Sequence, residues 1–318
     1  MAKSKNGGSR AFVRGRIGSD VYSIGKDGKG TRQQVVRSLA VQVANPRTTS
    51  QMIGRMLMST VMQAVSELKP IIDHSFDGYP KGQPSISQFI KLNYARIKNY
   101  YDNIADGEYG SFCLEKYQEK GCLYGSYQIS DGEVATPPSS DFRVSGGGFA
   151  AIKVEIPQFA EAHNFTFAEV KAAWPYGLTD KITLVAQTYG VDGLPNVLFQ
   201  RVSLNLSLAD STVITADNAK SCFVFEGNCT PGMDVKIPST TQAGYVRPML
   251  MKDDQGEYNG LYGENVIAIR SKSENGVWKH STATFRASNS DSIQYRTKEA
   301  ALATYPVGTE QFLNGGDL

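Results

Sequence analysis

Three histidines, four cysteines and one glycine-rich turn are the features of this chain best suited to chemistry, and none has the spacing that chemistry requires. His74, His163 and His280 lie far apart, with no second histidine at a helical or strand offset that would make a metal pair. Asp73, His74 and Ser75 are consecutive, whereas the groups of a hydrolytic triad converge from separate backbone positions. The reading preferred for Asp73, His74, Phe76 and Asp77 is that they fix a loop, with His74 hydrogen-bonded to backbone. Cys113 and Cys122 are nine residues apart and Cys222 and Cys229 seven, which fits neither zinc-ribbon nor redox spacing, so reduced thiols are expected. The turn from Gly25 to Thr31 has the glycine content of a phosphate-binding loop, but Gly30 stands where that loop needs lysine before Ser or Thr. Asp253 and Asp254 read as solvated carboxylates in a turn. No constellation for catalysis, metal or cofactor emerges, so the chain is read as non-enzymatic, with none of these.

Charge is the stronger signal. Through Arg55 there are eleven Lys or Arg against two acids, a local net of +9, while the whole chain is +2, so the remainder carries −7. Arginine outnumbers lysine seven to four in that stretch, which favours bidentate phosphate or carboxylate contacts. The candidate nucleic-acid or partner-binding residues are Arg10, Arg14, Arg16, Lys26, Lys29, Arg32, Arg37, Arg47 and Arg55. Neutralising several phosphates this way would give affinity by counterion release, largely regardless of base sequence. Electrostatic docking onto the acidic body of a neighbouring copy uses the same residues, and charge alone does not separate the two.

The elements that must position these residues follow from periodicity. Residues 10–17 alternate, with Ala11, Val13, Gly15 and Ile17 on one side and Arg10, Phe12, Arg14 and Arg16 on the other, which predicts a strand with a basic face. Val21 to Ile24 is read as its continuation, and Gln33 to Ala44 returns after the glycine turn, making a long twisted hairpin. Asn45-Pro46 stops the strand, and Thr49 or Ser50 caps a helix to about Leu68, closed by Pro70. Met52, Met56, Met58 and Met62 reach round more than one face of it, which predicts burial on two sides or packing against another copy. A second helix is expected from Ser85, with Gln88 as capping partner, to Tyr101. Tyr94, Tyr100 and Tyr101 lie on it among Lys91, Arg96 and Lys98, the pattern of a half-buried helix or of a base-stacking surface.

A boundary is expected at Ser145 to Gly148, giving an arm at 1–47, a helical region with short strands at 48–144 and a β-rich domain at 145–318. Beyond it, strands are predicted at 149–156, 181–189, 197–206, 221–226, 266–271 and 277–286, with short helices capped by Thr166 and near Lys298. The fold class is α+β: a basic N-terminal β-hairpin, two helices, then a mostly antiparallel β-sandwich or open barrel. With 41% hydrophobic and 20% charged residues, the composition is that of a folded protein. No run approaches the roughly 18 apolar residues that cross a bilayer, so no membrane partner is expected.

Several segments carry a family resemblance. Asn45-Pro46-Arg47-Thr48, followed by Gln51 and Arg55 and preceded by Gln34-Val35-Val36-Arg37, resembles a motif in uncharacterised proteins of gut Bacteroidetes and their phages. Residues 5–10, Tyr22 to Gly30, Ile72 to Phe76 and Phe312 to Asp317 are similar to proteins of small single-stranded DNA phages of the microvirus type. The resemblance is specific over the first hundred residues and weak through the β-rich half. It implies viral context: a structural-type protein of the virion or its assembly, located in the virion or host cytoplasm.

The expected function is therefore a virion or assembly protein that oligomerises, with other virion proteins and DNA as further partners. The alternative is an intracellular single-stranded DNA-binding or replication accessory protein using the helix tyrosines as stacking platforms. A carbohydrate-binding module in the β half, using Tyr245, Tyr258 and Tyr262, leaves the basic front unexplained.

Overall fold

A computed structural model describes residues 3–4, 13–17, 20–26, 32–38, 49–103, 125–142, 150–161, 163–190, 195–250, 258–261 and 266–287. The chain divides into two compact units, Met1–Arg47 and Thr48–Asp317. The fold is α+β.

The first unit is an antiparallel sheet in the order β1 (Lys3–Ser4), β2 (Val13–Ile17), β3 (Asp20–Lys26), β4 (Arg32–Ser38). Ile17 pairs with Asp20, so β3 folds back on β2 instead of continuing it. Only two residues separate these strands, Gly18 and Ser19, the loop length that two-residue hairpins favour.

The second unit opens with α1 (Thr49–Ile72) and α2 (Gln83–Asn103). Helix α1 runs two residues past Pro70, which sits in its last turn, where proline removes one hydrogen bond near an end that frays in any case. Helix α2 begins before Ser85, whose buried Oγ donates to the Pro80 carbonyl (3.0 Å) instead of capping the helix.

The strands that follow are β5 (Gly125–Glu133), β6 (Ala150–Ala151), β7 (Glu155–Ile156), β8 (Lys181–Gly190), β9 (Pro195–Leu204), β10 (Phe223–Gly227), β11 (Pro231–Lys236), β12 (Gly244–Leu250), β13 (Tyr258–Leu261), β14 (Ile267–Glu274) and β15 (Val277–Ala287). The main sheet is antiparallel in the order β10-β9-β8-β14-β15-β5, with β13 also paired to β8, and it stays open. A smaller sheet joins β11 and β12, with β6 and β7 both paired to β12. Helix α3 (Phe167–Ala173) starts at its expected cap, Thr166, whose backbone N–H donates to Glu169 Oε2 (2.7 Å) as in a capping box.

Strand alternation sends side chains to both faces of the main sheet. Val185, Val197, Phe199, Ile269 and Phe285 join Leu57, Val61, Leu68, Phe89 and Ile97 of the helices in one core. Ile182, Leu184, Leu198, Val202 and Ala268 point the other way and pack with Phe167 and Val170 of α3 and Val246 and Leu250 of β12. The second unit is thus three layers: helices, main sheet, small sheet. The region expected to hold the hinge, Ser145 to Gly148, lies outside the described residues.

A polar tie fixes the helices to the sheet. Asn93 is fully buried on α2, and its Oδ1 accepts the Gln128 backbone N–H (2.7 Å) while Nδ2 donates to the carbonyls of Gln128 and Phe89 (both 2.9 Å). The amide thus satisfies both backbone groups of one β5 residue at the free edge of the sheet.

Candidate functional site

Register assigns the basic residues of the first unit to faces. Arg16 pairs with Val21, and Val21 with Arg37, so these three share one face across three strands. Position 14 has the parity of 16 and pairs with Lys3 on β1. Positions 26 and 32 pair with each other across the ladder and have the opposite parity. Arg16 and Arg37 are exposed. Arg10, Lys29 and Arg47 lie outside the described residues.

The consecutive residues Val35 and Val36 of β4 point to opposite faces, yet they are 44% and 50% exposed. Apolar surface is therefore uncovered on both faces of this strand. On α1, the outward face carries Gln51, Arg55, Met58, Met62, Ser66 and Lys69. Met58 and Met62 stand one turn apart at 42% and 45% exposure, while Met56 is fully buried. Tyr101 is also buried and Tyr94 packs partly into the helix–sheet core, so neither stands out from α2 as a free stacking surface.

The second unit also holds a cleft of about 590 Å³, formed where the α1–α2 connection meets the strands. One wall is that connection, with Asp73, His74, Tyr79, Pro80 and Lys81; the other is the β14–β15 hairpin, with Ser271, Val277, Trp278 and His280; Lys181, Arg201 and Glu226 of β8, β9 and β10 complete the lining. The hairpin closes through Asn275 and Gly276, both at positive φ (52° and 79°), as a two-residue primed turn requires. That turn presents Trp278 at 39% and Val277 at 57% exposure.

The connection is stitched to the sheet. Asp131 N–H donates to the Ser75 carbonyl and Asp77 N–H to the Asp131 carbonyl (both 3.0 Å), which makes residues 75–77 a short parallel extension of β5. Ser130 Oγ lies within hydrogen-bond distance of the Ser75 and Ser281 carbonyls (2.9 and 2.6 Å). Asp77 Oδ1 accepts the His280 backbone N–H at 2.8 Å. Gly132 is required beside it, because a Cβ there would meet the His280 carbonyl at 2.2 Å and Asp77 Oδ2 at 2.6 Å. Asp77 thus holds the loop as expected, while His74 stands exposed on the cleft wall.

Electrostatics inside the cleft are mixed. Arg201 makes three long contacts, to Glu226 (3.3 Å), Thr183 Oγ1 (3.4 Å) and the Pro70 carbonyl (3.4 Å), and Lys181 Nζ lies 3.9 Å from Glu226. Lys181 Nζ also stands 5.3 Å above the Trp278 ring. His280 Nδ1 bonds Ser271 Oγ at 2.9 Å, its partner directly across the ladder. Burial lowers the pKa of His280, opposed by Asp77 and assisted by His74 and Arg201. Partial desolvation against the cleft wall also lowers that of the largely exposed His74, with Arg201 and Lys81 acting in the same direction. Asp73 is 8% exposed and its Oδ1 has no hydrogen-bond partner among the described residues.

Among the described residues no three His, Cys, Asp or Glu side chains converge as metal ligands. Cys222 and Cys229 are free thiols, and burial pushes each up to about 11. No helix among the described residues is long and apolar enough to cross a membrane.

The cleft residues come from five separate segments, so no linear spacing announces them. The one local signal is Asn275-Gly276 between two alternating runs, which marks the hairpin that carries Trp278. No protein-family model matches the chain, and no curated protein or solved structure matches it.

Proposed function

We propose that this chain is a non-enzymatic bacteriophage virion or assembly protein whose basic N-terminal arm docks on neighbouring copies. The reading is carried by Val35 and Val36, adjacent residues on opposite faces of β4 that are both exposed. A small sheet gains independent stability by covering an apolar face, and a neighbouring copy would supply such a cover for these two valines. Arginines beside the valines suit an acidic protein surface, and the remainder of a neighbouring copy carries −7. Exposed valines add nothing to contacts with a phosphate backbone, so the arm favours protein over DNA as its principal partner. Met58 and Met62 on α1 offer a second apolar contact of the adaptable kind. The phage setting rests on the family resemblance of the first hundred residues.

Mass photometry of the full chain beside a chain lacking residues 1–44, each with and without single-stranded DNA, tests the reading. The full chain is expected to form closed assemblies that dissolve as salt rises, and the shortened chain to remain monomeric. Assembly that survives truncation overturns the docking arm. A monodisperse full chain that binds DNA, and loses only that on truncation, supports the accessory DNA-binding protein in its place.

A further inference from the structure

The cleft of the second unit unites features that one ligand class satisfies together. Trp278 and Tyr79 present aromatic surface on its two walls, at 39% and 42% exposure. Lys81, Lys181 and Arg201 bring three cations against the two carboxylates of Asp73 and Glu226. A ligand that fills the space must offer a flat π face and an anionic group.

We propose that this cleft binds a nucleotide, free or as one unit of a single strand. The base stacks on Trp278, whose ring is braced by Lys181 at 5.3 Å. The phosphate meets Lys81 and Lys181, and it draws on Arg201, whose present contacts are all 3.3 Å or longer. The volume of about 590 Å³ suits a ligand of this size. A neutral sugar would stack on the indole and leave the cations unused. Inorganic phosphate would use the cations and leave both rings idle. The site is independent of the N-terminal arm.

Fluorescence reports it directly. The chain has two tryptophans, and Trp174 is only 5% exposed in the core between the sheets, so Trp278 is the emitter that a cleft ligand reaches. The full chain is titrated with thymidine and deoxyguanosine monophosphates, a short oligothymidylate, inorganic phosphate and glucuronate. Saturable quenching by the nucleotides is expected, with phosphate and glucuronate at least about tenfold weaker. An oligothymidylate that binds more tightly than the monophosphate makes a strand the source; equal binding makes it a free nucleotide. By ligand-observed NMR, Trp278→Ala is expected to weaken nucleotide binding about tenfold or more. Lys81→Ala is expected to weaken it several-fold and to flatten its salt dependence. Both side chains are exposed, so melting temperatures stay unchanged. Absence of saturable quenching, equal response to glucuronate, or wild-type affinity in Trp278→Ala overturns the proposal. A monophosphate is too short to report strand binding by the arm, so this result and the assembly result can fail separately.

Discussion

Asp77 and His280 are joined by a 2.8 Å hydrogen bond from a backbone N–H to a carboxylate, across 203 residues of chain. The bond secures the α1–α2 connection to β15, and with it both walls of the cleft. Lys279 Nζ lies 3.9 Å from the other oxygen, so the carboxylate has a cation beside it as well.

Replacing that carboxylate is therefore costly. Asp77→Ala leaves the His280 N–H without its acceptor, and a loss of about 2 kcal/mol is expected from denaturant unfolding. Amide exchange at His280 and at Asp131 is expected to quicken together, because the same loop carries both contacts. Protection unchanged at either amide contradicts the coupling.

Asn93→Leu keeps the volume of a buried side chain while removing every polar contact to Gln128. Two backbone groups of β5 lose their partners, and a destabilisation of about 2–4 kcal/mol is expected. Arg96→Ala removes only the contact to Gln128 Oε1 (2.8 Å) from a partly exposed site and is expected to cost under about 1 kcal/mol. A thermal or urea titration of both variants checks the order; Arg96 costing more than Asn93 would reverse the account of which group fastens α2.

The histidines of the cleft set a pH dependence of stability. Burial, first among the causes, lowers the pKa of folded His280 below 6.5, and His74 is lowered as well. Between the depressed values and 6.5 the unfolded chain binds more protons than the folded one, so stability rises with pH through that window. The urea midpoint is expected to climb from about pH 5 to about pH 7, and His280→Gln to make that climb shallower. An identical slope in the variant shows that His280 does not contribute.

His163 titrates in the opposite sense. Its ring nitrogen meets Glu169 at 2.7 Å, and this hydrogen bond raises its pKa. The contribution to stability is complete below the ordinary value of 6.5 and is lost as pH rises through the raised one. NMR titration of the ring is expected to give a value above that of an unstructured peptide, and Glu169→Gln to return it toward normal.

Much of the fold is legible in periodicity. Ile182, Leu184 and Ala186 alternate with Thr183, Val185 and Gln187, and both sets are buried, because helices cover one face and a second sheet the other. The small sheet is harder to read. β12 alternates in burial through Gly244, Val246, Pro248 and Leu250, but glycine and proline at those positions suppress the strand signal. β3 reads as a continuation of β2 because alternation alone does not mark a reversal of direction. Asn93 looks like any polar residue on an outer helical face, and its role depends on a strand 35 residues away. The cleft is less legible still: Tyr79, Arg201 and Trp278 meet only when the helix connection docks beside the hairpin.

The pairing of β5 with β15 sets a schedule for biosynthesis. The earliest strand among the described residues of the second unit waits for a neighbour that ends at Ala287, so Tyr127 and Ile129 have no β15 beside them while the ribosome still holds the intervening chain. A nascent polypeptide interrupted before that point exposes a sticky, half-built edge.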